Sequence, residues 1–334
     1  MTNTAPTTNA IEAHDLVKTY GGKVRALDGL SFTVEAGTIF GLLGPNGAGK
    51  STTIKILNTL SRPDSGSATV AGFDVLREPE QVRRAIGCVA QKSGVDTEAT
   101  GRENLTLQGK IYGLRGQELK QRVEDLLARF KLADAANAVA RTYSGGMQRK
   151  LDIAMGLVHR PRVLFLDEPT TGLDPEARSD LWEDIARLSQ EDRITVLLTT
   201  HYLEEADQLA KRLAIVDHGR LVVEGIPSQL KGELFGDAIH IEFAQAEAEN
   251  NVREALSKLD GISEIRVEGH SLHARASQGA TAVPGMLVAL ESAGLKVASV
   301  TVARPSLDDV YLRYTGRTFS EAEKADQKSP KGAR

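Results

Sequence analysis

The residues best placed to do chemistry are Gly44, Pro45, Asn46, Gly47, Ala48, Gly49, Lys50, Ser51 and Thr52, which fit the pattern Gly-x-x-x-x-Gly-Lys-Ser/Thr. Each residue type has a task in holding phosphate. Glycines let backbone N–H groups converge on one concavity, and a helix N-terminus behind them adds partial positive charge. Lys50 reaches the β- and γ-phosphates of a nucleotide, and Ser51 offers its hydroxyl to Mg2+. A second group is Val163-Leu164-Phe165-Leu166-Asp167-Glu168, an apolar run ending in two carboxylates. Asp167 would hold Mg2+ through water. Neighbouring residues on a strand point opposite ways, so Glu168 suits a different task, polarising an attacking water as general base. A third is His201 in Thr199-Thr200-His201, where a strand runs into a helix, because open α/β sheets keep their ligands at strand carboxyl ends. From there His201 could contact the γ-phosphate or the water. Alone, the acidic pair reads as a solvated loop and the histidine as structural.

The elements that must position these groups follow from the apolar pattern. Residues 38–43 read as a buried strand and 51–60 as a helix packed on it, with Ile54, Leu57 and Leu60 spaced by three. Residues 11–34 are short alternating segments broken at Gly21-Gly22 and Asp28-Gly29, the punctuation of antiparallel strands. Helical spacing among charges over 102–132 predicts an amphipathic helical insert. Apolar runs at 163–166, 194–198 and 213–216, separated by helical stretches around Trp182 and Leu203, predict an α/β core with a mainly parallel sheet. After 227–236 the texture changes. Strands at 238–243, 262–267, 271–276 and 296–302, with helices at 252–259 and 283–292, give the βαββαβ order of a ferredoxin-like α+β module. A short helix at 307–314 follows. This divides the chain into domains at 11–235 and 236–316, with tails at 1–10 and 317–334; the second tail is charged and short of apolar residues.

The composition excludes several classes. The 334 residues are 41% hydrophobic, enough for two cores, and 41 basic against 45 acidic residues leave a net charge of -4. Such a balance gives no global attraction for nucleic acid or an anionic membrane. The single cysteine, Cys88, allows no internal disulfide and no Cys-cluster metal site, suits a reducing compartment, and reads as a small buried residue. The first ten residues do not read as a signal peptide, and no apolar run approaches the roughly 20 residues that cross a bilayer. The six other histidines show no metal-like clustering.

Tyr143-Ser144-Gly145-Gly146-Met147-Gln148, ahead of the acidic strand, resembles the signature motif of ABC-transporter ATPases. Tyr20 resembles that family's adenine-stacking aromatic. Gln91 resembles the Q-loop glutamine, which the resemblance places with Ser51 and Asp167 at the metal. Asp174 in Gly172-Leu173-Asp174 is similar to the D-loop, and His201 to the H-switch. The match spans residues 11–225 and implies a P-loop NTPase fold, ATP and Mg2+ as cofactors, and ATP hydrolysis. It also implies a homodimer in which Ser144, Gly145 and Gly146 of one chain close over ATP held by the loop of another. Physically, a serine and two glycines opening a helix supply a second donor set to the γ-phosphate. Tyr143 and Met147 depart from the usual Leu and Gln, leaving those donors intact.

The Tyr-Ser-Gly-Gly-Met form resembles the drug- and antibiotic-exporter branch, as does Thr200-His201-Tyr202-Leu203-Glu204-Glu205-Ala206-Asp207. Pro305-Ser306-Leu307-Asp308-Asp309-Val310-Tyr311-Leu312 resembles the C-terminal motif of the daunorubicin/doxorubicin-resistance ATPases of that branch, with mild departures at Asp309 and Tyr311. This implies the ATPase subunit of a drug or antibiotic exporter at the cytoplasmic face of a membrane, working with a separate multi-span permease. ABC ATPases that remodel DNA or ribosomes usually carry a long coiled coil, tandem ATPase domains or a basic face; none is visible, and no direct nucleic-acid contact is expected. Glu168 and His201 speak against a regulator that binds nucleotide without hydrolysis.

Overall fold

The computed structural model describes residues 9–234, 236–257 and 259–328, the last four as backbone only. These fall into two compact units, one running to Ile226 together with the segment from Ser320, the other Pro227–Phe319.

The first unit opens with β1 (Asn9–Tyr20) and β2 (Val24–Glu35), long strands that put Ile11, Ala13, Leu16, Leu27, Leu30 and Phe32 into a core. Next come β3 (Ile39–Leu43), α1 (Lys50–Leu57), β4 (Ser65–Val70), β5 (Phe73–Asp74), α2 (Pro79–Ala85) and β6 (Ile86–Val89). The helical insert is α3 (Gly101–Ile111) and α4 (Gly116–Arg129). It leads through α5 (Gly145–Leu157) to β7 (Val163–Asp167), α6 (Pro175–Gln190), β8 (Thr195–Thr200), α7 (Leu203–Leu209), β9 (Arg212–Asp217) and β10 (Arg220–Gly225). Four strands form an antiparallel sheet in the order β2-β1-β4-β5, and six form a second sheet, β10-β9-β3-β8-β7-β6, parallel except at the β9–β10 hairpin.

Every residue of β3 and β8 is buried, which is why their apolar runs are continuous rather than alternating. The pleat still separates the two faces. Leu164 and Leu166 pack with the helical insert and α5, whereas Val163 and Phe165 pack toward the antiparallel sheet. The site follows from strand order. Leu43 lies in register with Thr200, and Asp167 with Thr199, so three sequence-distant strand ends open at one edge of the sheet.

The second unit contains α8 (Pro227–Gly232), β11 (Asp237–Phe243), α9 (Glu249–Leu256), β12 (Ile262–Glu268), β13 (Ser271–Ala276), α10 (Gly279–Ser292), β14 (Val297–Ala303) and α11 (Leu307–Thr315). The sheet order β12-β13-β11-β14, with every neighbouring pair antiparallel, is that of a ferredoxin-like module. Ile239, Ile241, Phe243 and Leu272 pack against Val252 and Leu256 of α9 and Met286 and Leu290 of α10.

Four expectations are revised. Residues 319–328, expected as an unfolded tail, form helix α12 (Phe319–Lys328): Phe319 packs edge-to-face on Tyr311 at 5.1 Å and Ala322 is buried, so a charged segment gains an apolar anchor. At the other end, Asn9 and Ala10 already belong to β1. Of the two expected tails, 1–8 and 329–334 lie outside the described residues. The units divide at Ile226 rather than after 235, because α8 packs with α11 and buries Leu230. Cys88 is exposed instead of buried, since β6 is the edge strand of its sheet and one of its faces lacks full cover.

Candidate active site

The glycine loop turns tightly because backbone, not side chains, crowds around it. A Cβ at Gly44 would lie 2.3 Å from the Val216 carbonyl oxygen, and one at Gly49, where φ is +105°, would lie 2.5 Å from that of Ala26. Only glycine fits either place. The Gly219 N–H donates to the Ala48 carbonyl (3.0 Å) and the Asp28 N–H to the Gly219 carbonyl (2.9 Å), so the β9–β10 turn clamps the loop against β2. Lys50 opens α1, is 5% exposed, and curls back to donate to the carbonyls of Gly44 (2.6 Å) and Pro45 (3.0 Å). Its ammonium also stands 3.8 Å from Glu168 Oε1.

At the ends of β7 and β8, Asp167 Oδ1 accepts from Thr199 Oγ1 at 2.6 Å and from Ser51 Oγ at 3.3 Å. The serine hydroxyl and the carboxylate expected at a cation are therefore adjacent, an oxygen donor set that fits Mg2+. Glu168 leaves the strand with φ +49°, a left-handed turn that costs an L-residue roughly 1–2 kcal/mol. Its N–H, bonded to both the carbonyl and Oγ1 of Thr199 at 3.1 Å, holds that turn. The separation of the two carboxylates thus comes from this turn at the strand's end, not from alternation along the strand.

The Glu168 side chain is 10% exposed. Gln91 Nε2 donates to its Oε2 at 3.0 Å, Thr171 Oγ1 does so at 3.4 Å, and His201 Nδ1 lies 3.3 Å from its Oε1 without an aligned hydrogen bond. Burial alone would raise its pKa; His201, Lys50 and Thr171 together outweigh that and hold it below its ordinary 4.5. Glu168 therefore stands as a carboxylate at neutral pH. Tyr20, 41% exposed, joins Asn46–Thr52, Gln91 and Glu168 around one cleft of about 350 Å³.

Ser144, Gly145, Gly146 and Asp174 do not line that cleft. Ser144 caps α5, its Oγ accepting from the Met147 N–H at 3.2 Å, and Ser144 and Gly145 are exposed. Asp174 caps α6 by accepting from the Ala177 N–H at 2.8 Å, ahead of Pro175. The signature donors thus form a second, outward-facing helix N-terminus.

Three residues around the site were not singled out as ligands by the sequence. Thr199 links Asp167 to Glu168, as above. Gly219 braces the glycine loop. Arg149, buried on α5, donates to the carbonyls of Ala90 (2.7 Å), Pro169 (2.8 Å) and Asp167 (3.1 Å), joining the signature helix to the segments that carry Gln91 and Glu168. Its charge is met by Asp152 at 3.7 Å, whose own pKa burial raises. Thr199 stood in the Thr-Thr-His run, but neither Gly219 nor Arg149 belongs to a spacing that marks it from sequence.

The family model described as ABC transporter matches residues 27–171. The daunorubicin/doxorubicin resistance ATP-binding protein DrrA of Streptomyces peucetius is 46% identical over 318 residues, 94% of this chain and 94% of that protein. The Nod factor export ATP-binding protein I of Sinorhizobium fredii is 41% identical over 314 residues, 93% of this chain and 88% of that protein. Among solved structures, the dimeric post-hydrolysis state of an ATP-binding cassette bound to ADP and Pi matches with a TM-score of 0.59 at 26% identity, covering 65% of this chain and 98% of that one.

Proposed function

We propose, from the premise that this chain belongs to the family of ABC-transporter ATP-binding proteins, that it is the ATPase subunit of an exporter for a hydrophobic drug or antibiotic. The observation that carries the hydrolytic part is the convergence of Lys50, Ser51, Asp167, Gln91, Glu168 and His201 at one sheet edge beside Tyr20. In this reading Tyr20 stacks on adenine, and the backbone N–H groups of Gly44–Thr52 with Lys50 hold the phosphates. Ser51 and Asp167, with Gln91 nearby, hold Mg2+, which when bound neutralises phosphate charge. Glu168 takes a proton from water as the water oxygen bonds to the γ-phosphorus and the bond to the ADP oxygen breaks; His201 orients the γ-phosphate. Asp174, from its cap on α6, lines the dimer boundary.

The rest of the reading concerns assembly. Two chains close over two ATP, the Ser144–Gly146 helix start of each facing the glycine loop of the other, and hydrolysis reopens the pair. Among the described residues no helix is long and apolar enough to cross a membrane, so the transport path is assigned to a separate permease, with this chain peripheral at the cytoplasmic face. Leu107, Ile111 and Tyr112 of the helical insert are 58%, 68% and 40% exposed, an apolar strip suited to receive it. The second unit, Pro227–Phe319, is read as an accessory module. The nucleic-acid reading is not carried further, because the relatives described above are resistance and export ATP-binding proteins.

Sedimentation of Glu168→Gln with ATP and Mg2+ tests this reading. Doubling of the mass on ATP addition, abolished by a further Ser144→Arg, is expected. A chain that saturates with ATP and stays single overturns the dimer.

A further inference from the structure

A charged cavity away from the nucleotide cleft lies within the second unit, about 310 Å³ bounded by β12, β13 and α11. Four guanidinium groups line it, those of Arg253, Arg266, Arg275 and Arg313. Two of these are neutralised internally. Arg275, 4% exposed, pairs with Glu264 at 3.1 Å and Asp309 at 3.4 Å, and Arg253 bonds Glu249 at 2.7 Å and the Ile265 carbonyl. The other two make no direct ion pair with a carboxylate among the described residues, although the charge of Arg266 is felt by Glu249, which Arg253 already holds. Arg266 makes no hydrogen bond or ion pair among the described residues, and Arg313 donates only to the Glu233 carbonyl, at 2.8 Å. His273, on the same wall, is pushed by burial toward its neutral form and adds no charge.

The walls are shaped for this arrangement. The pairing of β12 with β13 shifts between Ser263 and Arg266, and Glu264 sits there with φ +51°. Such a bulge re-aims side chains, and here Glu264, Ile265 and Arg266 all line the cavity, where a regular strand would turn the middle one away. Asp309 has two tasks: it completes the capping box with Ser306 at the start of α11, and it pairs with Arg275 of β13. The Leu307–Leu312 motif therefore fixes the helix that carries Arg313. One Arg275 terminal nitrogen, buried, makes no aligned hydrogen bond.

We propose that this cavity binds a small phosphate monoester, its dianion between Arg266 and Arg313 and its organic part against Ile265 and Leu312. Two guanidinium groups without a direct carboxylate partner match a group carrying nearly two negative charges at pH 7, and the planar forks suit its oxygens. A monocarboxylate would leave one charge unmet. The simpler alternative is that both arginines only face the C-terminal end of α11, where cations are favourable. Gly316, the left-handed cap of that helix, does lie near Arg266: a Cβ there would sit 3.6 Å from Nη1.

The test is calorimetric titration of phenyl phosphate into the full chain carrying Lys50→Ala, which disables the glycine loop as a competing phosphate site. One site per chain is expected, weakened at least tenfold by Arg266→Gln or by Arg313→Gln, and at least tenfold weaker for benzoate. Arg266→Lys, which keeps the charge, should retain most of the affinity. No binding to the parent, even if the arginine variants melt at lower temperature, leaves only the helix-end role and overturns the site. Binding unchanged by both arginine substitutions does the same, and equal binding of benzoate overturns the dianion assignment.

Discussion

Glu168 holds its charge against its surroundings. Burial works toward protonation, while His201, Lys50 and Thr171 work against it, and the balance lies below the ordinary 4.5. For a carboxylate depressed in the folded state, the stabilisation is present above its unfolded pKa and is lost as pH falls through the lower folded value. Glu168→Gln removes that titration. Its melting temperature should therefore fall less steeply than wild type as pH drops below about 4.5 in thermal scans. The same substitution should lower turnover by about 10²–10⁴-fold, the usual worth of a general base, while ATP affinity measured by titration stays within a few-fold. Near-wild-type turnover would remove Glu168 from that role. The residue's strained φ of +49° matters here: it aims the carboxylate toward Gln91 and His201 while Asp167 stays with Ser51 and Thr199.

At the scale of elements, the parallel order β3-β8-β7 delivers the glycine loop, the acidic pair and His201 to one edge. Arg149 then ties α5 to the same edge. Arg149→Lys keeps a charge for Asp152 but loses the fork that reaches four carbonyls, leaving buried acceptors unpaired at roughly 1–3 kcal/mol each. We expect a lower melting temperature and reduced kcat with an unchanged Kd for ATP; a variant that loses ATP affinity in proportion would contradict a positioning role. Much of this framework was legible beforehand. Gly44–Thr52 stood out because the motif came with a strand before it and a helix after it, and both carboxylates ended an apolar run. What was not legible depends on three-dimensional crossing. Gln91 and Glu168 are far apart in sequence, Arg149 looks like any basic residue in a helix, and Gly219 acts through backbone alone. The short β6 and the anchoring of α12 by Phe319 escaped for a similar reason: each relies on a neighbour supplied by the fold, Val163–Leu166 in one case and Tyr311 in the other.

For the whole molecule, the decisive feature is what the nucleotide cleft lacks. Tyr20, the glycine loop, Gln91 and Glu168 line it, yet Ser144, Gly145 and Gly146 do not, and Ser144 and Gly145 face outward at a helix start. One chain thus offers a phosphate cradle in one place and a second helix start, at Ser144 and Gly145, in another. In the proposed dimer two chains complete each other, and hydrolysis is then a property of the pair. The second unit has its own sheet and core, and its cavity is lined by its own residues alone. The most direct measurement mixes two inactive variants. Lys50→Ala has a disabled loop and an intact signature; Ser144→Arg has the reverse. Each alone should hydrolyse ATP at a small fraction of the wild-type rate, and an equal mixture should recover activity, because mixed pairs contain one site built from both intact halves. A Ser144→Arg chain active on its own, or a mixture that stays as inactive as its components, would contradict the shared site.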